Sequence, residues 1–228
     1  HRPDLLHIHF GNHARSLYRV GSRMPTVVTW HGYDANMLPR KQGESMYHDL
    51  FSGEYHHTVG SNFMRERLLK LGAGKETVTK IPMGVDLEKF PLIVRKSKSS
   101  PDLRIISVGR LDEMKGHRFL IEAVSAMIGE GSPLTLRIIG EGALRADMEE
   151  QIRKTGQGER IHLLGACTSD EILAELRDAD LFALTGVVAA SGRVETQGVA
   201  LIEAQATGLP IIATDVGGVS ESLINGNT

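Results

Sequence analysis

The sequence predicts an α/β fold made of two units, each built around a parallel β-sheet. Short apolar runs alternate with amphipathic stretches along most of the 228 residues, which is typical of repeated strand–helix–strand units. The apolar runs are continuous rather than alternating, as in strands that helices cover on both faces. A polar break at residues 95–101 separates the two units.

Eight segments have the length and apolar content of strands. They cover residues 5–10, 26–30, 57–60, 103–108, 134–139, 161–164, 181–184 and 210–213. Six helices are predicted between them, at residues 61–71, 116–128, 144–155, 169–179, 199–207 and 219–224. In the second helix one apolar face is predicted, formed by Phe119, Leu120, Ala123, Val124 and Met127.

These elements define the domain boundaries that we expect. Residues 1–90 form a first unit with too few strands for a complete sheet, residues 91–102 a linker, and residues 103–228 a nearly complete doubly wound unit. The sequence opens without an initiator Met and stops at a predicted helix-to-strand turn. We therefore expect a fragment of a longer protein.

Composition excludes several classes of function. The net charge of −2 provides no basic field for a nucleic-acid partner. No apolar run approaches the roughly 20 residues needed to cross a bilayer, and no signal peptide is visible. The single Cys167 cannot form an internal disulfide, which favours a reducing, cytoplasmic setting.

Charged residues follow the first strand of the second unit. Gly109-Arg110 comes directly after the strand at 103–108, and Lys115-Gly116 precedes the next helix. Gly109 permits a sharp turn, Arg110 offers a planar fork of donors, and Lys115 offers a mobile charge. Because a helix N-terminus also favours anions, the pattern indicates a diphosphate site, with a solvated basic loop as the alternative.

Two carboxylates, Glu195 and Glu203, lie in a loop that becomes a helix. We expect Glu203 near the helix start, where the dipole stabilises a carboxylate and where it accepts hydrogen bonds from two ribose hydroxyls. Glu195 is expected to point into the same cleft. The backbone N–H groups around Gln197–Ala200, including those of Gly198 and Val199, are candidates for binding phosphate. Taken alone, the pair is explained more simply as surface carboxylates beside a helix N-terminus.

Histidines and glycines at other strand ends have simpler explanations. His31 precedes Gly32 and is a candidate donor to a sugar hydroxyl. The alternative is an ordinary loop histidine. His7 and His9 share one side of their strand, but no carboxylate or Cys stands at a ligand spacing, so no metal site is predicted. The Gly-Glu-Gly turn at residues 140–142 lacks the third Gly of a dinucleotide loop, and we interpret it as a tight turn that approaches a ligand.

Eight short segments, in chain order, carry a family resemblance. They are Trp30-His31-Gly32, Ser61-Asn62-Phe63, residues 81–86, residues 108–111 with Lys115-Gly116, residues 138–142, Glu195 to Glu203, Gly208-Leu209-Pro210 and Gly217-Gly218. In this order they resemble glycosyltransferase family 4, and the resemblance covers nearly the whole chain. It is closest to bacterial enzymes of exopolysaccharide biosynthesis of the colanic-acid type.

The resemblance implies a GT-B fold, with two Rossmann-like domains facing a cleft, here with an incomplete N-terminal domain and without the C-terminal helix. It implies a retaining glycosyltransferase that moves a hexose from a nucleotide diphosphate-sugar to a glycan or lipid-linked acceptor in polysaccharide biosynthesis. Such enzymes need neither a metal nor another cofactor. A cytoplasmic location, with peripheral contact at the inner face of the membrane, suits a lipid-linked acceptor.

The resemblance also implies residue roles. The implied catalytic residues are Glu195, His31, Arg110 and Lys115. The implied donor-binding residues are Gly109, Arg110, Lys115, Leu164, Gly198, Val199 and Glu203. Arg110 and Lys115 would hold the diphosphate, Glu203 the ribose, and the backbone near Leu164 the base. Glu195 and His31 would contact the donor sugar.

The sequence departs from the family pattern at three places. Thr196 replaces the usual Gly after the first Glu, Thr185-Gly186 stands where many relatives have Pro-Ser, and the family's N-terminal Gly-rich loop is absent. We therefore expect weak donor binding or no turnover by this chain alone. Two alternatives stay open: a sugar-nucleotide 2-epimerase and a non-catalytic nucleotide-binding or scaffold protein.

Overall fold

A computed structural model describes residues 3–18, 24–95 and 101–223 of the chain. These residues form two compact units that are discontinuous in sequence. Unit 1 contains the described residues up to Met83 together with two later segments, Val188–Gln197 and Val216–Glu221. Unit 2 contains Gly84–Val187, Gly198–Asp215 and the described residues from Ser222 onward.

Unit 1 is built on a four-stranded parallel sheet in the order β1-β2-β3-β4. Its strands are β1 (Leu6–His9), β2 (Thr26–Thr29), β3 (Tyr55–Val59) and β4 (Val78–Lys80). Its α-helices are α1 (Gly11–Ser16), α2 (Leu38–Gln42), α3 (His48–Phe51) and α4 (Asn62–Lys70). The sequence did not predict β4, α1, α2 or α3, because these elements are too short for a clear periodicity.

The core of unit 1 is centred on Trp30, which is 3% exposed. Its ring packs edge-on against Tyr47, with centroids 4.9 Å apart, and stacks on Phe51 at 5.6 Å. Its Nε1 donates to Nδ1 of the buried His57 over 3.3 Å. A Cβ at Gly11 would overlap the Trp30 ring, so the glycine that begins α1 lets this helix pack directly on the indole.

The N-terminus of α4 is capped from two sides. The Ser61 hydroxyl accepts from the Met64 N–H over 3.3 Å, the local hydrogen bond that a serine at the N-cap makes. The Glu221 carboxylate accepts from the N–H groups of Asn62 and Phe63, each over 2.7 Å. The second cap comes from far along the chain and attaches the Val216–Glu221 segment to the rest of unit 1.

Unit 2 is built on a five-stranded parallel sheet in the order β7-β6-β5-β8-β9. Its strands are β5 (Leu103–Val108), β6 (Leu134–Ile139), β7 (Ile161–Gly165), β8 (Leu181–Leu184) and β9 (Ile211–Ala213). Its α-helices are α5 (His117–Gly129), α6 (Arg145–Thr155), α7 (Ser169–Asp178) and α8 (Val199–Ala206). The strand order reverses between β5 and β8, which makes this the topological switch point of a doubly wound sheet.

The buried face of α5 differs from the predicted one. Leu120, Ile121 and Val124 are buried, whereas Phe119 and Met127 are 41% and 46% exposed; Ala123 is exposed too. The helical period is compatible with both faces. The prediction is confirmed for Leu120 and Val124 and was wrong for the other three residues, because Ile121 rather than Phe119 is buried.

Two predicted segments include residues outside the described ranges. The predicted helix at 219–224 is a 3₁₀ turn, Ser220–Ser222, and its last residue lies outside the described part. Of the predicted linker, residues 96–100 lie outside as well. Arg95 belongs to unit 2, where its guanidinium donates to carbonyls at the C-terminal end of α7, including that of Ala179 over 2.7 Å.

Candidate functional site

The loops that follow β5 and β8 meet at the switch point of unit 2. The Val187 N–H donates to the Met114 carbonyl over 2.9 Å, and the Thr185 hydroxyl donates to the Gly116 carbonyl over 3.1 Å. Gly116 has φ 65°, and a Cβ there would overlap the Thr185 carbonyl. Only glycine fits this position without strain, so Gly116 allows the two loops to pack together where α5 begins.

Arg110 and Lys115 lie in the β5 loop, directly before α5, as the sequence predicts. A Cβ on Gly109 would lie 3.1 Å from Cδ and Cε of Lys115, so the aliphatic stem of Lys115 passes over this glycine. The Arg110 side chain is 67% exposed and lies 3.6 Å from the Asp112 carboxylate. Two cationic side chains and a helix N-terminus thus share one loop, an arrangement suited to a diphosphate.

The Gly-Glu-Gly turn after β6 packs against the β5 loop. The Leu111 N–H donates to the Glu141 carbonyl over 2.9 Å. A Cβ at Gly140 would overlap the Gly109 carbonyl, and one at Gly142 would overlap the Leu111 carbonyl. The turn thus supports the neighbouring backbone, and its approach to a ligand stays a prediction.

Gly198, Val199 and Glu203 lie at the beginning of α8. Gly198 is the N-cap with φ 81°, and Val199 is the first helical residue. Glu203 lies a full turn further along the helix. The helix dipole is therefore not the main influence on its carboxylate, contrary to the expected stabilisation. Burial raises the pKa of Glu203, and the Lys89 ammonium opposes this effect. The carboxyl is half-buried within unit 2.

Leu164 lies at an irregularity of the sheet. Ile138 pairs with Leu163, whereas Ile139 pairs with Gly165, so the register between β6 and β7 skips Leu164. A bulge of this kind redirects backbone groups out of the regular ladder. The position is compatible with the implied contact between this backbone and the donor base, which stays a prediction.

Histidines gather at the carboxyl ends of β1 and β2 in unit 1. Nδ1 of His9 lies 2.9 Å from Nε2 of His31, and Nε2 of His7 lies 2.7 Å from the Thr29 hydroxyl. The His7 and His9 ring centroids are 4.5 Å apart. Within residues 3–18, 24–95 and 101–223, no group of three or more His, Cys, Asp or Glu residues is placed to hold a metal ion.

Asp34 holds this cluster in place and was missed by the sequence analysis. It is fully buried, and its carboxylate accepts from the backbone N–H groups of Gly11, over 2.8 Å, and His31, over 3.1 Å. Burial raises the pKa of Asp34, while these hydrogen bonds lower it. The sequence feature that could have identified Asp34 is its position three residues after His31. In the structure it lies at the start of the π-helical turn Tyr33–Met37.

The environment of His31 favours its neutral form. Burial lowers the pKa of His31, the Asp34 carboxylate opposes this effect, and His9 and His7 lower the pKa further. The Phe10 ring covers the imidazole, with centroids 4.4 Å apart. Phe10 has φ 71°, a region that aromatic residues avoid. Such strain costs on the order of 1–3 kcal/mol and is often found at functional sites.

Glu195 packs with unit 1, whereas Glu203 packs with unit 2. The Glu195 carbonyl accepts from the Gly218 N–H over 3.1 Å. A Cβ at Gly32 would lie 2.6 Å from Cγ2 of Thr196, so the Glu195 loop contacts the end of β2 beside His31. The structure therefore brings Glu195 near His31; a shared cleft for Glu195 and Glu203 stays a prediction.

Two family models together match the whole chain. The model described as "Glycosyl transferases group 1" matches residues 90–228. The model described as "Glycosyltransferase Family 4" matches residues 1–89. These matches confirm the resemblance drawn from the sequence motifs.

Curated relatives are bacterial glycosyltransferases. The amylovoran biosynthesis glycosyltransferase AmsK of Erwinia amylovora is 32% identical over 225 residues, covering 96% of this chain and 54% of AmsK. WcaL of Escherichia coli strain K12, a glycosyltransferase assigned provisionally to colanic acid biosynthesis, is 33% identical, covering 96% of this chain and 55% of WcaL. The chain spans about half the length of these relatives.

Solved structures share the fold. Anabaena Alr3699/HepE in complex with UDP has a TM-score of 0.79 at 20% identity, over 98% of this chain and 63% of that one. Sucrose-phosphate synthase from Thermosynechococcus elongatus has a TM-score of 0.76 at 20% identity, over 97% of this chain and 58% of that one. The expected α/β fold of the GT-B type is confirmed. In the part that the structure describes, no helix is long and apolar enough to span a membrane.

Proposed function

We propose, from the premise that this chain belongs to the group 1 glycosyltransferases, that its protein transfers a hexose from a nucleotide diphosphate-sugar. The acceptor is a glycan or a lipid-linked sugar in polysaccharide biosynthesis. The observation that carries this proposal is the placement of Arg110 and Lys115 in one loop before α5, at the switch point of the unit 2 sheet. The complex of Anabaena Alr3699/HepE with UDP-glucose supports the choice of donor class.

Unit 2 is assigned to the nucleotide half of the donor. Arg110 and Lys115 bind the diphosphate, each charge-assisted hydrogen bond contributing about 1.5–3 kcal/mol. The backbone N–H groups at Gly198 and Val199 add an anion site at the start of α8. Glu203 accepts hydrogen bonds from the ribose hydroxyls, and the half-buried position of its carboxyl makes those bonds stronger than on an exposed surface.

Unit 1 is assigned to the sugar half. His31 contacts the hexose, and its lowered pKa keeps the imidazole neutral near pH 7, so that it both donates and accepts hydrogen bonds. Glu195 lies on the loop that contacts the end of β2. We assign to it the stabilisation of positive charge on the sugar in a front-face, retaining transfer, rather than the role of nucleophile.

The reaction is proposed to need no metal ion. The departing nucleotide diphosphate carries negative charge, and Arg110, Lys115 and the helix N-termini offset that charge in the transition state. The protein would act in the cytoplasm, and with a lipid-linked acceptor it would contact the inner face of the membrane.

The test uses the full-length protein and measures nucleotide release from UDP-, GDP- and ADP-sugars, with and without a glycan or lipid-linked acceptor, and with and without EDTA. We expect acceptor-dependent release that EDTA leaves unchanged, and a product with the anomeric configuration of the donor by NMR. An acceptor-independent change at C2 of the sugar would identify an epimerase. Nucleotide binding without any turnover would favour the scaffold alternative, and loss of activity in EDTA would contradict the metal-free mechanism.

A further inference from the structure

The buried side chain of Gln197 attaches the Glu195 loop to unit 1. Oε1 of Gln197 accepts from the Met83 N–H over 2.9 Å, and its Nε2 donates to the Met83 carbonyl over 2.9 Å. Gln197 is 5% exposed, whereas Met83 is 52% exposed. One amide therefore makes both backbone hydrogen bonds of Met83 that a neighbouring strand would make, and on the Gln197 side these bonds are buried, where the loss of a partner is costly.

Two glycines make room for this loop. A Cβ at Gly60, which follows β3, would lie 2.6 Å from Oε1 of Gln197. A Cβ at Gly32, which follows β2, would lie 2.6 Å from Cγ2 of Thr196. A Cβ atom does not come this close to another heavy atom, so Thr196 and Gln197 fill the two spaces that the missing Cβ atoms leave.

The attachment is continuous with the candidate sugar site. Thr196 connects Gln197 to Glu195, and Gly32 follows His31 directly. The contact between Thr196 and Gly32 and the hydrogen bonds between Gln197 and Met83 therefore restrain the Glu195 loop at two neighbouring points. Met83 and Gln197 are also the last residues of two of the three segments that make up unit 1.

We propose that Gln197 is a positioning residue that holds Glu195 in register with His31. This inference rests on the proposed glycosyl transfer, because it gives Gln197 a role in that reaction through Glu195. The Gln197 side chain is assigned no contact with the donor. Its loss should lower kcat far more than nucleotide affinity, since Arg110, Lys115 and Glu203, which are assigned to the nucleotide half, lie elsewhere, in unit 2.

The attachment is tested first by amide hydrogen exchange, measured by NMR. Gln197→Leu keeps the approximate side-chain size and removes both hydrogen bonds. We expect the Met83 amide to exchange at least about tenfold faster. The matched control is Gln151→Leu, which removes a single, exposed hydrogen bond to the Arg118 carbonyl. Unchanged exchange at Met83 in Gln197→Leu would overturn the attachment.

A second pair of variants covers the case in which Gln197→Leu fails to fold. Gly60→Ala should disturb the Met83 amide, because the new Cβ displaces Oε1 of Gln197. In Gln197→Ala, the added Gly60→Ala change should have almost no further effect, since the other Gln197 atoms lie 3.7 Å or more from that Cβ. Additive effects of the two changes would contradict the steric relationship.

The role in transfer is tested by kinetics of the intact protein. We expect Gln197→Leu to lower kcat by about tenfold or more, with a much smaller change in the dissociation constant of the free nucleotide and with Gln151→Leu behaving as the parent. Faster exchange at Met83 with an unchanged kcat would overturn the positioning role. No turnover by the parent with any donor would overturn the proposed function and this role with it, while the exchange data would still decide the attachment.

Discussion

Nδ1 of His9 lies 2.9 Å from Nε2 of His31, so one proton is shared between the two rings. When both imidazoles are neutral, one nitrogen of this pair donates and the other accepts. The tautomer of one ring therefore determines the tautomer of the other. The groups that face His31 are Asp34, His7 and His9, of which only Asp34 raises its pKa.

Replacing His9 should raise the pKa of His31. His9→Phe keeps an aromatic ring beside His31 but removes the nitrogen and the positive charge that His9 carries when protonated. Since His9 lowers the pKa of His31, its removal shifts the titration of His31 to higher pH. The imidazole resonances of His31 in an NMR pH titration measure this shift. His48→Asn, on the exposed surface of α3, is the control, and an equal shift in both variants would contradict the coupling.

The same change should move the acid limb of the pH–rate profile. Because the pKa of His31 is lowered, the parent keeps a neutral imidazole down to below about pH 6.5, and activity that needs this form falls as the pH drops through the lowered pKa. In His9→Phe that fall should begin at higher pH. An acid limb that stays in place, despite a shifted titration of His31, would show that the neutral form is not required.

Loss of Arg110 should weaken nucleotide binding. Arg110→Ala would remove the proposed charge-assisted hydrogen bonds, each contributing about 1.5–3 kcal/mol, so the dissociation constant of the nucleoside diphosphate should rise about 10- to 150-fold per lost bond. Calorimetric titration measures it. Arg118→Ala serves as the matched control, because this arginine lies over the exposed Phe119 ring in the first turn of α5. Equal affinities of parent and Arg110→Ala would remove Arg110 from the donor site.

Glu203 should discriminate ribose from 2′-deoxyribose. The parent is expected to bind a ribonucleoside diphosphate more tightly than its 2′-deoxy analogue, because the deoxy ligand leaves part of the half-buried carboxylate unpaired. In Glu203→Leu the two ligands should bind with similar affinity. Glu122→Leu, at an exposed position of α5, should keep the parent's preference. A preference that survives in Glu203→Leu would place the ribose elsewhere.

Two buried histidines should make the fold acid-sensitive. Burial lowers the pKa of His57 and of His117 to about 4, whereas an unfolded histidine titrates near 6.5. The unfolded chain therefore binds more protons between these values, so stability falls as the pH drops from about 6.5 to about 4. The expected loss is about 1.4 kcal/mol per pH unit for each histidine, measured by urea unfolding.

His117→Phe isolates one of these contributions. Neither ring nitrogen of His117 has a hydrogen-bond partner among the described residues, so the replacement sacrifices no hydrogen bond. The variant should show a shallower loss of stability between pH 6.5 and 4 than the parent. His48→Asn, whose histidine is exposed, should leave the pH dependence unchanged. Parallel pH curves for the parent and His117→Phe would refute the assignment.

Local sequence patterns were enough to predict the main strands of this protein and part of its candidate site. The strands Leu103–Val108, Leu134–Ile139 and Leu181–Leu184 have the predicted bounds, because a buried parallel strand is recognisable from its own apolar run. The Ser61 cap was predictable for the same reason, since its partner is three residues away. The family motifs, the loop with Arg110 and Lys115, and the glycines beside them were also visible in the sequence alone.

Tertiary structure decided what depends on distant partners. Asp34 binds Gly11, Gln197 binds Met83, and Glu221 caps α4 from 159 residues away. None of these pairs has a sequence spacing that signals contact, because folding alone brings the partners together. Glu195 and Glu203 belong to one motif in the sequence but to different compact units in the structure. A sequence motif groups residues that are close along the chain. The compact unit to which each residue belongs depends instead on which buried surfaces pack together.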